Sequence, residues 1–418
     1  MGDPKIFEVK LDKLTYGGDA MGRLPDGKAV FVPFGLPDET VRLEVTSEKR
    51  GFARAKLLEV LQPSPLRIQA ECPHFSVCGG CHYQHLSYPD QLVAKKQIVL
   101  DQLERIAKIN HPPLQDVIAS PLIKNYRNTV QFHVDGQGKL GYLKAGSSQV
   151  VAIRECLLPE VELMELWQRL EFEPGSGIER VELRQASNND LMLILESEDF
   201  RQLPEMEVDF PLSVTHLSPA GTIVLAGDDF IVMEMKDRLF KVSAGSFFQV
   251  NRLQAEAMVN HVLNLIPAKK MQHIVDVYCG VGLFSAFLAD RTEQLTCIES
   301  SETACEDFAV NLDEFEHVSL YMGAAEEVLP QLNIQADVIL VDPPRAGIEP
   351  QAMDSILAMQ PQMLIYVSCD LATLARDLRK LLDGGYELVD VTPFDMFPQT
   401  YHVETVALLK SLKVEELP

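Results

Sequence analysis

Apolar and polar positions follow three successive rhythms along the chain. Between Lys5 and Val60, the short apolar stretches Lys5–Leu14, Gly22–Leu24, Ala29–Pro33, Val41–Val45 and Ala53–Val60 are divided by turn residues such as Tyr16-Gly17-Gly18-Asp19 and Pro25-Asp26-Gly27. Short strands punctuated in this way predict a small β-barrel. Residues 63–84 then read as a cysteine-rich loop, and Pro89–Ile109 as a helix, because Leu92, Val99, Leu103 and Ile106 fall on one stripe at helical spacing. Alternating segments at Thr129–Val134, Val150–Ile153, Glu179–Arg184 and Leu191–Leu195 predict antiparallel sheet. From residue 243 onward the rhythm becomes strand–helix. Strands are expected at His273–Tyr278, Leu295–Glu299, Ser319–Met322, Ala336–Val341 and Met363–Ser368, and helices at Gly282–Asp290, Glu302–Phe315, Pro350–Met359 and Ala372–Leu382. That order implies a mostly parallel sheet covered on both faces, with ligands bound beyond the carboxyl ends of its strands.

At 418 residues the chain exceeds one ordinary core, so the expectation is three domains, at 1–62, 63–242 and 243–418. No apolar run reaches the roughly 18 residues of a membrane span, and the first residues lack a secretory pattern. Eight scattered cysteines do not form a disulfide framework, so a reducing cytoplasm is the expected compartment. The charge argues against a nucleic-acid partner, since 37 basic and 61 acidic residues leave a net −24. The excess is uneven, however. Residues 155–240 hold 19 acids and 6 bases, and the stretch 196–209 reads as a solvated acidic face. Residues 91–129 hold Lys95, Lys96, Arg105, Lys108, Lys124 and Arg127 against three acids, which leaves room for a basic face.

Three strand ends carry candidate chemistry. Asp276-Val277-Tyr278-Cys279-Gly280-Val281-Gly282 closes one strand and opens a helix, where glycines allow close backbone approach and free N–H groups face a ligand. Glu299 ends the next strand and can accept both hydroxyls of a ribose. The spacing suits a dinucleotide or S-adenosylmethionine, although Ser285 at the third glycine position of the pyrophosphate fingerprint favours a cofactor without pyrophosphate. Asp342-Pro343-Pro344-Arg345 holds a carboxylate rigidly after a strand, because proline stiffens the residue before it. Val367-Ser368-Cys369-Asp370 delivers a thiol at another strand end, with a helix starting directly behind it. An amine needs no such nucleophile to accept a methyl group. Carbon 5 of a pyrimidine does, since a thiolate adding at C6 turns the ring into an enolate. Helix N–H groups or cations are therefore expected to lower the thiol below its usual value of about 8.5. Loss of the C5 proton needs a base, for which His402 and Glu404 are both candidates.

Cys78-Gly79-Gly80-Cys81, Ser246-Phe247-Phe248-Gln249-Val250-Asn251, Asp342-Pro343-Pro344-Arg345-Ala346-Gly347, Val367-Ser368-Cys369-Asp370 and His402-Val403-Glu404 occur in one order along nearly the whole chain. In these stretches the chain resembles the RNA uracil-5-methyltransferases, in particular the iron–sulfur branch acting on 23S ribosomal RNA; transfer RNA enzymes of the same chemistry are the alternative. The resemblance implies an OB-like TRAM β-barrel, an α+β central domain and a Rossmann-like α/β class I methyltransferase domain. It implies Cys369 as nucleophile, Glu404 as the base, and Gln249, Tyr278, Gly280, Gly282, Glu299 and Asp342 around S-adenosylmethionine, with Asp342 also near the uracil. Phe247 is implied to stack on RNA; Arg127, from the basic stretch, is expected as a further RNA contact, and the enzyme is expected to act as a monomer. Leu283 departs from the family pattern, which often has Asn there.

Cys72, Cys78 and Cys81, with Cys156 far downstream, supply four thiols. Spacing alone leaves zinc and an iron–sulfur cluster open, with His74, His82 and His85 as further zinc candidates. The resemblance implies a [4Fe–4S] cluster on the four cysteines.

Overall fold

The computed structural model describes residues 5–198 and 210–413. Strands β1 (Ile6–Leu14), β2 (Ala20–Arg23), β3 (Ala29–Val32), β4 (Thr40–Glu48) and β5 (Phe52–Gln62) close into a barrel in the order β1-β2-β3-β5-β4. Their period-two alternation turns Val9, Leu11, Val30, Val32, Val41, Leu43 and Ala53 into one buried interior.

A cysteine-bearing loop leads into helix α1 (Tyr88–Arg105), which starts where the Ser87 side chain accepts from the Asp90 N–H. The helix ends four residues before the expected Ile109, and Lys108 turns back with φ of 58°. The central sheet is built from β6 (Thr129–Val134), β7 (Leu140–Leu143), β8 (Val150–Ala152), β9 (Arg180–Gln185), β10 (Leu191–Glu196), β11 (Ser213–Ser218) and β12 (Gly221–Ala226), in the order β12-β11-β10-β9-β6-β7-β8. It is antiparallel as expected except that β10 and β11 run parallel. Helix α2 (Val161–Arg169) covers one face, with Trp167 packed on Phe132 at a ring distance of 4.2 Å. Most of the acidic stretch 196–209 lies outside the described residues.

The hairpin β13 (Phe230–Met235) and β14 (Arg238–Ser243) and helix α3 (Arg252–Leu265) precede the third sheet. That sheet contains β15 (Met271–Val277), β16 (Thr292–Glu299), β17 (Val318–Met322), β18 (Val338–Val341), β19 (Met363–Ser368), β20 (Tyr386–Phe394) and β21 (Glu404–Ser411), ordered β17-β16-β15-β18-β19-β21-β20. The first five are parallel; β21 runs antiparallel to both β19 and β20. Helices α4 (Ser285–Leu288), α5 (Glu302–Asn311), α6 (Ala325–Val328), α7 (Pro350–Met359) and α8 (Leu371–Asp383) connect them. The Gly282–Asp290 helix expected from sequence is reduced to one turn of α4 followed by a 3-10 turn.

Units distant in sequence pack against the faces and the β20 side of this sheet. Ile98, Val99 and Leu103 of α1 join one apolar layer with Leu374 and Leu378 of α8, whereas Met233, Phe240 and Val242 of the hairpin join the opposite layer. Residues 115–118 run beside β20, with Gln115 N–H donating to Val391 O and Ile118 N–H to Pro393 O, both at 2.8 Å. Lys95 and Asp395, both fully buried, pair at 2.5 Å between α1 and the loop after β20. No helix among the described residues is long and apolar enough to cross a membrane.

Candidate active site

Strand order alone lines up the chemistry. Glu299 ends β16, Tyr278 follows β15, Asp342 follows β18 and Cys369 follows β19, so the four stand on consecutive strands at one edge. The antiparallel β21 begins at that edge with Glu404. Ser368 pairs with Thr405, which sets Cys369 and Glu404 on neighbouring strands about 4.8 Å apart.

The Cys369 thiol is pushed up to about 12, first by burial and then by the carboxyls of Glu404 and Asp342, with Arg345 opposing. The expectation of a lowered thiol pKa is thus not met in the protein alone; acids outnumber cations around the sulfur, and the helix start behind it does not compensate. Burial raises Glu404 to about 7, against the pull of Arg345, and holds Asp342 well above the carboxylate range, helped by Glu404 and Asp276. His402 goes the other way, lowered to about 3 by burial and by the Arg345 cation. Of the two candidate bases, Glu404 is thus held near neutrality and His402 far below it. Arg345 faces the thiol, Glu404 and His402 together, a role that the Asp-Pro-Pro-Arg run contained but did not reveal.

On the cofactor side, the Glu299 carboxylate is fixed by the N–H groups of Gly280 at 2.9 Å and of Ser300 and Ser301 at 2.7 Å. Gly280 (φ 56°) borders open space, where a Cβ would meet nothing within 4 Å. Gly282 has φ of 94°, and a Cβ there would strike Leu312 at 2.4 Å. The Tyr278 hydroxyl is buried beside the Glu349 backbone. Open glycine backbone and a strand-end acid on one edge fit an adenosyl cofactor. Leu283 packs into the apolar core, so no polar contact arises at that position. Asp276, which sequence reasoning passed over, is raised to about 7 by burial and accepts a 2.5 Å bond from Ser285 under the glycine loop.

The segment 246–251 is pinned at both ends. Ser246 Oγ donates to Asp307 at 2.6 Å, while Asn251 caps α3 and donates to Met396 O at 3.1 Å. Between them Gln249 O accepts from Asn128 Nδ2, and Phe247 stands 71% exposed. Phe247 also lines a cavity of about 280 Å³ together with Arg127, Gln131, Tyr142 and Arg184.

Arg127 borders a second cavity as well, of about 110 Å³, into which Cys72, Cys78, Cys81 and Cys156 all open. None of the four is in a disulfide. The Gly80 N–H donates to Cys78 Sγ at 3.3 Å, and burial lifts Cys81 to about 12 and Cys156 to about 11, with neighbouring thiols adding to both. Only His74 of the three candidate histidines lines this cavity. His82 turns to Tyr401 at 4.6 Å and His85 to Phe75 at 5.2 Å. No group of three ligands is gathered tightly enough for a single ion among the described residues.

Comparison with known proteins gives this geometry a family. A TRAM domain model matches residues 5–58, and the model described as tRNA (Uracil-5-)-methyltransferase matches residues 218–412. A relative named an uncharacterized RNA methyltransferase in Halalkalibacterium halodurans is 34% identical over 444 residues, covering 97% of each chain. The chain belongs to the RNA uracil-5-methyltransferase family. A second relative of the same description, in Streptomyces avermitilis, is 34% identical and covers 97% of this chain and 98% of its own. Among solved structures, the Pyrococcus abyssi tRNA (uracil-54, C5)-methyltransferase in complex with S-adenosyl-L-homocysteine superimposes with a TM-score of 0.75 at 26% identity, covering 96% of this chain and all of the other. The N-terminal barrel is therefore a TRAM domain, the C-terminal sheet a methyltransferase fold, and the family acts on RNA with S-adenosylmethionine.

Proposed function

We propose that the chain methylates C5 of a uridine in 23S ribosomal RNA through a covalent bond between Cys369 and C6 of the ring. The observation that carries this reading is the convergence of a thiol and two carboxyls, Cys369, Glu404 and Asp342, on adjacent strand ends. The Cys369 thiol gives its proton to solvent, the thiolate adds to C6 and the ring's electron pair moves toward C5 and O4; Asp342, whose carboxyl burial shifts toward its neutral form, is the group that would meet the charge gathering on the ring. S-adenosylmethionine, held among Gln249, Tyr278, Gly280, Gly282, Glu299 and Asp342, supplies the methyl group. Glu404 then takes the C5 proton, and the returning electron pair expels Cys369. Phe247, 71% exposed and lining one cavity with Arg127, would stack on a base taken out of its helix.

Cys72, Cys78, Cys81 and Cys156 open into one cavity of about 110 Å³, and we read them as the ligands of a [4Fe–4S] cluster, with zinc as the alternative. Cys72, Cys78, Cys81 and Cys156 would hold it in a structural role, since methyl transfer moves no electron. The chain is read as a cytoplasmic monomer.

Transfer RNA is the second reading, favoured by the Pyrococcus abyssi structure, whose name gives a tRNA uridine as its target. Mass spectrometry of RNA fragments from a strain lacking the gene separates the two. A methyl group missing from a 23S uridine supports the first reading and one missing from tRNA the second, while unchanged uridine methylation in both removes the proposal.

A further inference from the structure

The turn between β1 and β2 reaches from the barrel to the nucleophile. It is a tight turn, in which Thr15 N–H donates to Asp19 O at 2.9 Å and Gly18 N–H to Thr15 O at 3.0 Å, with φ of 103° at Gly17 and 88° at Gly18. Gly18 lies so close to Tyr401 that a Cβ would meet its ring at 3.0 Å, and the Tyr16 ring stands edge-on to Tyr401 at 6.0 Å. From this seat the Tyr16 hydroxyl donates to Asp370 Oδ2 at 2.6 Å, across 354 residues of sequence. The other oxygen, Oδ1, accepts from the N–H groups of Ala372 and Thr373 at 3.0 Å each, capping α8. One carboxylate thus joins the barrel to the helix start, and the residue directly before it is Cys369. A bond serving only to hold two domains together could fall anywhere on their interface; this one falls on the charge flanking the thiol.

We infer that Tyr16 is a positioning residue for the nucleophile: by holding Asp370 it fixes the cap of α8 and draws the neighbouring negative charge away from the Cys369 sulfur. The inference rests on Cys369 being the nucleophile. Four charged or titratable groups face that sulfur. Glu404 approaches from β21, Asp342 and Arg345 from the loop after β18, and Asp370 from the helix cap. Of these acids only Asp370 receives a side-chain hydrogen bond from the barrel. A donor of this kind spreads the carboxylate's charge, so its removal strengthens the field that opposes a thiolate.

Tyr16→Phe, Asp370→Asn and the double variant, all as full chains, test this. The rate of Cys369 alkylation by iodoacetamide is followed against pH on the tryptic peptide Ala346–Arg376, in which Cys369 is the sole cysteine. In Tyr16→Phe the midpoint is expected to rise, and in Asp370→Asn, which removes the charge, to fall. The double variant should follow Asp370→Asn, because Tyr16 acts through that carboxylate. Turnover of Tyr16→Phe on total RNA should drop about tenfold in kcat with KM unchanged, the size of one hydrogen bond to a charged group. Mere loosening of the interface would let water in and lower the midpoint in both single variants, which would overturn the inference. So would an effect of Tyr16→Phe that persists undiminished beside Asp370→Asn. The alkylation arm needs neither RNA nor turnover, so its outcome is independent of Cys369→Ala, whose undiminished turnover would remove the nucleophile reading itself.

Discussion

Replacing Lys95 by Met tests how the active-site loop is held. Lys95 Nζ donates to Asp395 Oδ1 at 2.5 Å and to Phe397 O at 3.0 Å, and neither side chain of the pair has any exposed surface. The Tyr88 hydroxyl also reaches this carboxyl but carries no charge, so the Met variant leaves Asp395 buried with no opposing charge. Breaking one side of a buried pair costs about 3–5 kcal/mol, most of it the penalty of the stranded partner. Replacing both partners with apolar groups removes that penalty, so Lys95→Met with Asp395→Leu should recover to within about 1–2 kcal/mol of the parent. Urea denaturation followed by circular dichroism measures both. A Lys95→Met loss below about 1 kcal/mol, or a double variant no more stable than the single one, would refute the reasoning.

Glu404, raised to about 7, keeps its proton in the folded chain over a window where the unfolded chain has lost it. The folded state then binds more protons between about pH 4.5 and 7, so this group makes stability fall by roughly 3 kcal/mol as pH rises through that window. Glu404→Gln should flatten that part of the stability profile, read by urea denaturation at a series of pH values; an unchanged profile would contradict it. Gly282→Ala should weaken S-adenosylmethionine binding measured by calorimetry and lower the melting temperature, because φ of 94° and a 2.4 Å approach to Leu312 leave no room for a methyl group; unchanged affinity would contradict it. Anaerobically purified protein should be brown with broad visible absorbance, and Cys156→Ser should lose most of its iron. A colourless parent with one zinc per chain would exclude the cluster.

Strands with an unbroken rhythm were legible in the sequence. Thr129–Val134, Met363–Ser368 and the helix Pro350–Met359 fall where their patterns place them, because each pattern repeats at the period of its element and is bounded by turn or proline signals. The α4 region was not, since its buried Phe284, Ala286, Phe287 and Leu288 are apolar on every side and fix no period. β20 was missed because Pro393 lies inside it, a residue tolerated there because its nitrogen faces the 113–118 segment and not the β21 ladder. Strand-end motifs located Asp342 and Cys369, but a motif does not show its surroundings. The acids that raise the Cys369 thiol arrive from β18 and β21, and the Tyr16 bond to Asp370 from the barrel, so only the folded chain assembles that electrostatic setting. The same limit applied to His402 and Glu404, two residues apart in sequence yet shifted in opposite directions by burial.

The central claim is a bond between one sulfur and one carbon. A target RNA carrying 5-fluorouridine blocks the final elimination, because fluorine at C5 cannot leave as the proton does. Incubation with S-adenosylmethionine, digestion with ribonuclease and trypsin, and mass spectrometry should find peptide Ala346–Arg376 carrying a methylated fluorouridine on Cys369. Absence of any such adduct, together with full methylation of ordinary RNA by Cys369→Ala, would contradict the account.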